Sequence, residues 1–153
     1  MMEDSYYRCL AVMDRIREET IKEYGNLSRL SIKMGYSRSF LGTRDNQAQV
    51  FRIPLIVKIA QELNVSVDWL LSGKNKQPFR KCIINYEKLI QAYDQKASEN
   101  KKHSGNSIKK SVQSSMCFLK KNISKNLNLA TLFYLSDILH VSIADLVLEK
   151  ELT

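Results

Sequence analysis

Two prolines and five glycines in 153 residues leave few chain-reversing positions for a turn-rich β fold. No run of strict apolar and polar alternation bounded by turns is found either. Apolar residues recur instead at three- and four-residue spacing, so an all-α chain is expected. The three cysteines, Cys9, Cys82 and Cys117, are odd in number and far apart, with no CxxC and no histidine at ligand spacing. That argues against a disulfide framework and a zinc site and leaves reduced, mostly buried thiols as the expectation. No apolar run approaches the roughly 18 residues that span a bilayer. The opening "MMEDSYY" carries acids where a signal peptide has its basic region. A cytoplasmic setting is expected, with no membrane partner, no metal and no cofactor.

What the chain does have is positive charge and an apolar fraction of 44%, enough for a packed core. Lys and Arg number 24 against 16 Asp and Glu, for a net charge of +8 and a pI near 9.4. Such a surplus favours anionic partners, nucleic acid first.

The periodicity predicts a first helix from about Ser5 to Tyr24, with Leu10, Met13 and Ile16 on one face and Gly25 as its stop. Asn26 supplies the N-cap of a short second helix carrying Leu30 and Met34, which Gly35 ends. Ser37 is placed to cap a third helix that buries Phe40 and Leu41. After the polar "RDNQAQ", a fourth helix is expected from Ile53 to Leu63 with Pro54 in its first turn, and a fifth after Ser66.

"LNVSVDWLL" at 63–71 returns as "LHVSIADLV" at 139–147, seventy-six positions later. Ser66 and Ser142 are each expected to cap a helix, and Asp145 to complete a reciprocal capping box. The same offset sets Ile53, Ile56, Ile59 and Leu63 against Leu129, Leu132, Leu135 and Leu139. Further upstream an offset of seventy-eight fits better, matching Asn26 with Ser104, Leu30 with Ile108, Met34 with Val112, Ser37 with Ser115 and Phe40-Leu41 with Phe118-Leu119. The upstream helix of the second copy carries Tyr86, Leu89, Ile90 and Tyr93. Residues 1–73 and 81–153 are therefore expected to be two tandem five-helix units, joined by a linker at 74–80.

Two short helices joined by a tight turn make a helix-turn-helix. "GNLSRLSIKMGYSRSFLGTRDN" at 25–46, followed by "PLIVKIAQELNVSVDWLLSG", resembles the Xre/Cro-like family of phage and bacterial repressors, of phage lambda repressor type, over nearly all of residues 8–73. The resemblance implies a third helix that enters the major groove and a role in transcription regulation. Carried onto this chain, it puts Ser37, Arg38 and Ser39 at the start of the reading helix, with Gly42 and Thr43 one turn on. Arg38 is the leading base contact, because a guanidinium pairs in a planar fork with guanine. Thr43 suits a thymine methyl, and Arg44, Asn46, Gln47 and Arg52 suit phosphates. The amides near Asn26 offer a phosphate oxygen unpaired N–H groups. Leu27 departs from the glutamine of many family members, and Arg44 from the apolar residue that usually closes the helix packing.

In the second copy the reading positions become Ser115, Met116, Cys117, Lys120 and Lys121. Ser115 and the two lysines are candidate DNA contacts, while Met116 and Cys117 are candidates for a protein interface. Seven of the first half's twelve basic residues are Arg, against one of twelve in the second, a contrast that fits base reading by the first copy. One chain would then imitate a dimer of single units; alternatively the second copy makes a homodimer that reads a palindrome. The other class of reading is a protein-binding helix-turn-helix module, such as a phage-encoded inhibitor of anti-CRISPR type or an antirepressor. Met116, Cys117 and the Tyr6-Tyr7 pair motivate it. An enzyme is not expected, since Ser107-x-x-Lys110 is a short chance-prone motif, and His103 and His140 sit in polar or loop settings.

Overall fold

A computed structural model describes residues 2–45, 47–102, 112–113, 116–117 and 127–149. In chain order it contains α1 (Met2–Tyr24), α2 (Leu27–Lys33), α3 (Ile53–Leu63), α4 (Val67–Ser72), β1 (Cys82–Ile84), α5 (Tyr86–Lys102), α6 (Leu129–Leu139), α7 (Ile143–Leu146) and β2 (Val147–Glu149). Val112, Gln113, Met116 and Cys117 are helical as well. The chain is thus mostly helical, and none of its described helices is long and apolar enough to cross a membrane.

Local chemistry accounts for most element ends. The Asn26 side chain accepts a hydrogen bond from the Arg29 amide at 2.9 Å and starts α2. Ser66 and Ser142 accept from the Trp69 and Asp145 amides at 3.3 and 3.2 Å and start α4 and α7. The expected reciprocal bond from the Ser142 amide to the Asp145 carboxylate is absent among the described residues, and that carboxylate lies 4.0 Å from Lys88 Nζ. Asn64 and His140, seventy-six positions apart, both adopt the left-handed conformation that ends α3 and α6. Gly73 ends α4 with a positive φ, and there the Arg15 guanidinium lies 3.0 Å from where a Cβ would stand. Arg15 donates to the last α4 carbonyls, Leu70 at 2.9 Å and Leu71 at 3.2 Å. A side chain at 73 would displace that cap.

The expected third helix does not form as an α-helix. Residues 38–41 are a turn, followed by a 3-10 turn at Gly42–Arg44 and another at Ala48–Val50. Gly42 weakens a helix here by about 1 kcal/mol, and the 3-10 turn that begins with it has no side-chain cap. The second correction is the antiparallel pair of β1 and β2, in a half where no strand is expected. At three residues each, these strands are too short for alternation to be visible in the sequence.

Cys9, Val12, Met13 and Ile16 of α1 form one hydrophobic cluster with side chains from both halves, reaching to Leu146. Burial pushes the Cys9 thiol up to about 11, against the opposing pull of Arg8, so it is an inert core group. Of the three thiols only Cys9 is buried, whereas Cys82 is half-buried and Cys117 exposed.

The halves meet at a backbone seam. Arg52 and Asn128, again seventy-six apart, form an antiparallel bridge. The Ile53 amide donates to the Leu127 carbonyl at 3.2 Å and the Leu129 amide to the Phe51 carbonyl at 2.8 Å. The residue leading into each helix thereby satisfies the other helix's first amide, and α3, which has no side-chain cap, is capped across the seam. Around it α4 packs on α7 and α1 packs on α6. Arg8 fastens the second contact, pairing with Asp137 at 2.5 Å and lying over the Phe133 ring at 4.2 Å.

Residues 74–81 form neither helix nor strand but are pinned to the first half. The Gln77 carbonyl accepts from the Ser66 amide at 2.8 Å, and the Phe79 amide donates to Asn64 Oδ1 at 3.1 Å. Lys76 pairs with Glu19, which is only 6% exposed, and lies over the Trp69 ring at 4.7 Å. Burial alone would raise the Glu19 pKa, but Lys76 and Lys22 outweigh it and hold the carboxyl below its ordinary 4.5.

The depressed value makes the Glu19 contribution present above the ordinary carboxylate range and lost as pH falls through the lowered folded pKa. Urea unfolding of Lys76→Met should therefore show a deficit of about 1 to 2 kcal/mol at neutral pH. The deficit should shrink below the carboxylate range to what the lost Trp69 contact leaves; one of equal size at pH 7 and pH 3 would contradict the linkage. The seam is tested by pairing Arg52→Cys with Asn128→Cys in a chain carrying Cys82→Ser and Cys117→Ser. Directly opposed residues flanked by such bonds have Cα atoms about 4.5 Å apart, within disulfide range. The bond should form within the monomer and raise the unfolding free energy by about 2 to 4 kcal/mol.

Candidate nucleic-acid interface

Helix α2 and the segment after it build the surface around Arg38. Ser31 of α2 is buried, its hydroxyl donating to the Leu27 carbonyl at 2.8 Å and accepting from the Leu41 amide at 3.2 Å. Leu41 is fully buried and anchors the far end of the segment. Between them Gly35, at φ +87, turns the chain with a backbone conformation that L side chains rarely adopt. Ser37, Arg38 and Ser39 follow, all exposed, and Phe40 is half-buried. The Thr43 amide reaches the Ser39 carbonyl at 2.9 Å, an α-type bond, so one helical turn survives.

A stack of side chains holds this turn. The Tyr36 and Phe40 rings are stacked, with centroids 4.0 Å apart and planes 13° from parallel. The Arg44 guanidinium lies over Phe40 at 4.1 Å, and Lys58 of α3 lies over Tyr36 at 4.5 Å. Arg44 also donates to the Phe40 carbonyl at 2.9 Å. Arg44 thus fills with a stacked cation the place where an apolar residue was expected. The four-residue spacing of Tyr36, Phe40 and Arg44 was the signal in the sequence for this stack; Lys58 carried none.

Asn26 is engaged as the α2 cap, and the Thr43 hydroxyl donates to the Ser39 carbonyl at 2.9 Å. Gln47 is exposed before the second 3-10 turn. Arg52 is exposed while its backbone serves the seam. Asn46, Ser115, Lys120 and Lys121 lie outside the described residues, as do His103, Ser107 and Lys110. Met116 is a correction: it is fully buried in the shared core and offers no interface, while Cys117 beside it is exposed. Val112, four positions before Met116, is buried too, the spacing that stacks side chains on one helical face. The seventy-eight offset sets buried Val112 against buried Met34, but it also sets buried Met116 against exposed Arg38.

The arginine content of the first half also has a structural explanation. Arg8 holds Asp137, Arg15 caps α4, and Arg44 closes the aromatic stack. Arg17 pairs with Asp14 and with Asp45, each at 2.5 Å, and these partners hold its pKa raised, the Asp45 hydrogen bond most of all. Arg29 reaches the Tyr24 carbonyl at 3.4 Å. Arg38, by contrast, makes no hydrogen bond or ion pair among the described residues and is exposed. The chain matches no protein-family model, no curated protein and no solved structure.

Stability should separate the two arginines. Arg44→Lys loses the flat stacking partner and is expected to lower the urea-unfolding free energy by about 1 kcal/mol. Arg38→Lys should stay within about 0.5 kcal/mol of the parent. Equal losses at both positions would contradict the division of roles.

Proposed function

We propose that the protein is a sequence-specific double-stranded DNA-binding transcriptional regulator of helix-turn-helix type, a repressor of phage or mobile-element kind. One observation carries this reading: an uncommitted, exposed arginine stands just after a capped helix and a tight glycine turn. Arg8, Arg15, Arg17, Arg29 and Arg44 are each held by a hydrogen bond or ion pair, and Arg52 has a partner as well. An unpaired guanidinium can meet the O6 and N7 atoms of guanine at once. The net charge of +8 supports the same partner through phosphate attraction.

The proposal includes two tandem units of related build. Several roles recur seventy-six positions apart in its support. Asn64 and His140 are left-handed helix ends, and Ser66 and Ser142 are helix caps. Tyr24 donates to the Glu62 carbonyl at 3.2 Å and Lys96 to the Ile138 carbonyl at 3.0 Å, so each long helix caps matching carbonyls. The seam is reciprocal in the same register, as contacts across a two-fold axis are. On this reading one chain holds internally the contact that single units would make between chains.

The alternative, a protein-binding module, loses Met116 but keeps one supporting observation. Tyr6 and Tyr7 are 44% and 65% exposed, with ring centroids 5.9 Å apart. Exposed aromatic pairs suit protein contacts.

Selection of bound duplexes from a random pool tests the reading. The parent should enrich a defined sequence, and Arg38→Ala should relax one guanine position at a cost of about 1 to 3 kcal/mol. Enrichment of nothing by the parent, or of the same sequence by both proteins, would overturn it. Retained capture of a protein target by Arg38→Ala, from a parent that shifts no DNA, would favour the alternative.

A further inference from the structure

Residues 36–40 form an arch whose two feet are fastened to each other. Tyr36 and Phe40 are the feet, and their rings stack at 4.0 Å. Ser37, Arg38 and Ser39 make the span and are all exposed, with Arg38 at its midpoint. Backbone bonding inside the arch amounts to the Phe40 amide donating to the Ser37 carbonyl at 3.1 Å. An α-helix would hold such a segment through its own ladder, but here the chain turns at 38–41 and tightens to 3-10 at Gly42–Arg44. One α-type bond remains at its far end, the Thr43 amide donating to the Ser39 carbonyl at 2.9 Å, and ring stacking supplies the constraint across the rest of the span.

The stack is fixed at both ends. Lys58 on α3 covers Tyr36, and Arg44 covers Phe40 while donating to its carbonyl. Cations over ring faces are attracted by the ring quadrupole, so each end both closes and strengthens the stack. Lys58 belongs to α3, whose first amide is held at the seam, so the foot at Tyr36 is referenced to the core. Each foot has a second anchor as well. The Tyr36 amide donates to the Ser31 carbonyl at 3.0 Å, and the residue after Phe40 is the buried Leu41.

We propose that Tyr36 and Phe40 are positioning residues that set sequence discrimination: their stapled arch, rather than a recognition helix, presents Arg38 to one base pair in the major groove. The inference rests on the DNA-binding reading above. A fork of two hydrogen bonds is sensitive to direction, whereas attraction to phosphates is not. Loosening the arch therefore costs discrimination between sequences and leaves general affinity for duplex intact.

The test compares the parent with Tyr36→Ala, Tyr36→Phe and Lys58→Met. Affinities are measured for the selected duplex and for a scrambled duplex at one salt concentration, and urea unfolding checks that each variant is folded. Tyr36→Ala is expected to lose about ten-fold in the ratio of the two affinities while binding the scrambled duplex within about two-fold of the parent. Tyr36→Phe keeps the ring and should keep the parent ratio; Lys58→Met should fall between. Without DNA, amide order parameters at Ser37, Arg38 and Ser39 should drop in Tyr36→Ala and not in Tyr36→Phe. Unchanged discrimination or unchanged order parameters in folded Tyr36→Ala overturn the inference, and so does an equal loss on both duplexes. If Tyr36→Ala does not fold, Lys58→Met decides by the same two readouts. A parent that cannot tell the duplexes apart overturns the DNA-binding reading itself, and the inference with it.

Discussion

The exchange of two amides across residues 51–53 and 127–129 is the constraint on which the rest of the structure depends. A helix begins with amides that have no partner inside it. Helix α3 begins without a capping side chain and with Pro54, which has no amide to satisfy. Its first amide finds the Leu127 carbonyl, and α6 returns the arrangement through Phe51. Asn128 then caps α6 a second time, accepting from Thr131 at 2.8 Å. With both helix starts held together, the buried side chains of the two halves merge into one core. Helix α1 rests on α6, and Phe51, Ile53, Leu127 and Leu129 all become buried.

The seam also orders what precedes it. The 3-10 turn at Ala48–Val50 packs against α1 and α6, with Ala48 fully buried. Upstream of that turn the chain is held by the stack, by buried Leu41 with its amide on Ser31, and by the Arg17–Asp45 pair. A short segment tied at both ends loses less freedom on meeting a partner than a loose one. The arch and the seam are thus successive solutions to one problem: a stretch with little regular hydrogen bonding, between α2 and α3, is fixed first by rings and then by backbone.

Much of the fold was legible because helix ends are local events. Asn26, Ser66 and Ser142 announce their caps, and the limits of α3 follow from Pro54 and from the apolar spacing up to Leu63. The segment around Arg38 was less legible because its shape is decided by a contest that spacing cannot resolve. Ser37 and the buried Leu41 suit a helix, yet Gly42 weakens it, and an arginine four residues beyond Phe40 folds back onto the ring. Met116 was misplaced for a related reason. Alignment by core pattern assumes that both copies bury the same faces, whereas Met116 is taken into the core at a position where Arg38 faces water. The role of Arg8, Arg15 and Arg17 was hidden because their partners lie 28 or more positions away, apart from Asp14.

Shape and charge together narrow how such a surface would act. One arch offers one uncommitted arginine, and one bidentate contact gives about 1 to 3 kcal/mol of discrimination. That is small beside the roughly 4 to 10 kcal/mol separating specific from non-specific binding in strongly selective regulators. The remainder has to come from outside the arch, through further polar contacts or through the deformability of the duplex. Lysines, which dominate the second half, are point charges that follow phosphates without reading bases. Affinity spread over many lysines weakens steeply with salt, whereas the discrimination carried by one stapled arginine does not depend on counterion release. On the proposed reading, then, the two halves contribute unlike quantities, direction from the arch and attraction from the lysines.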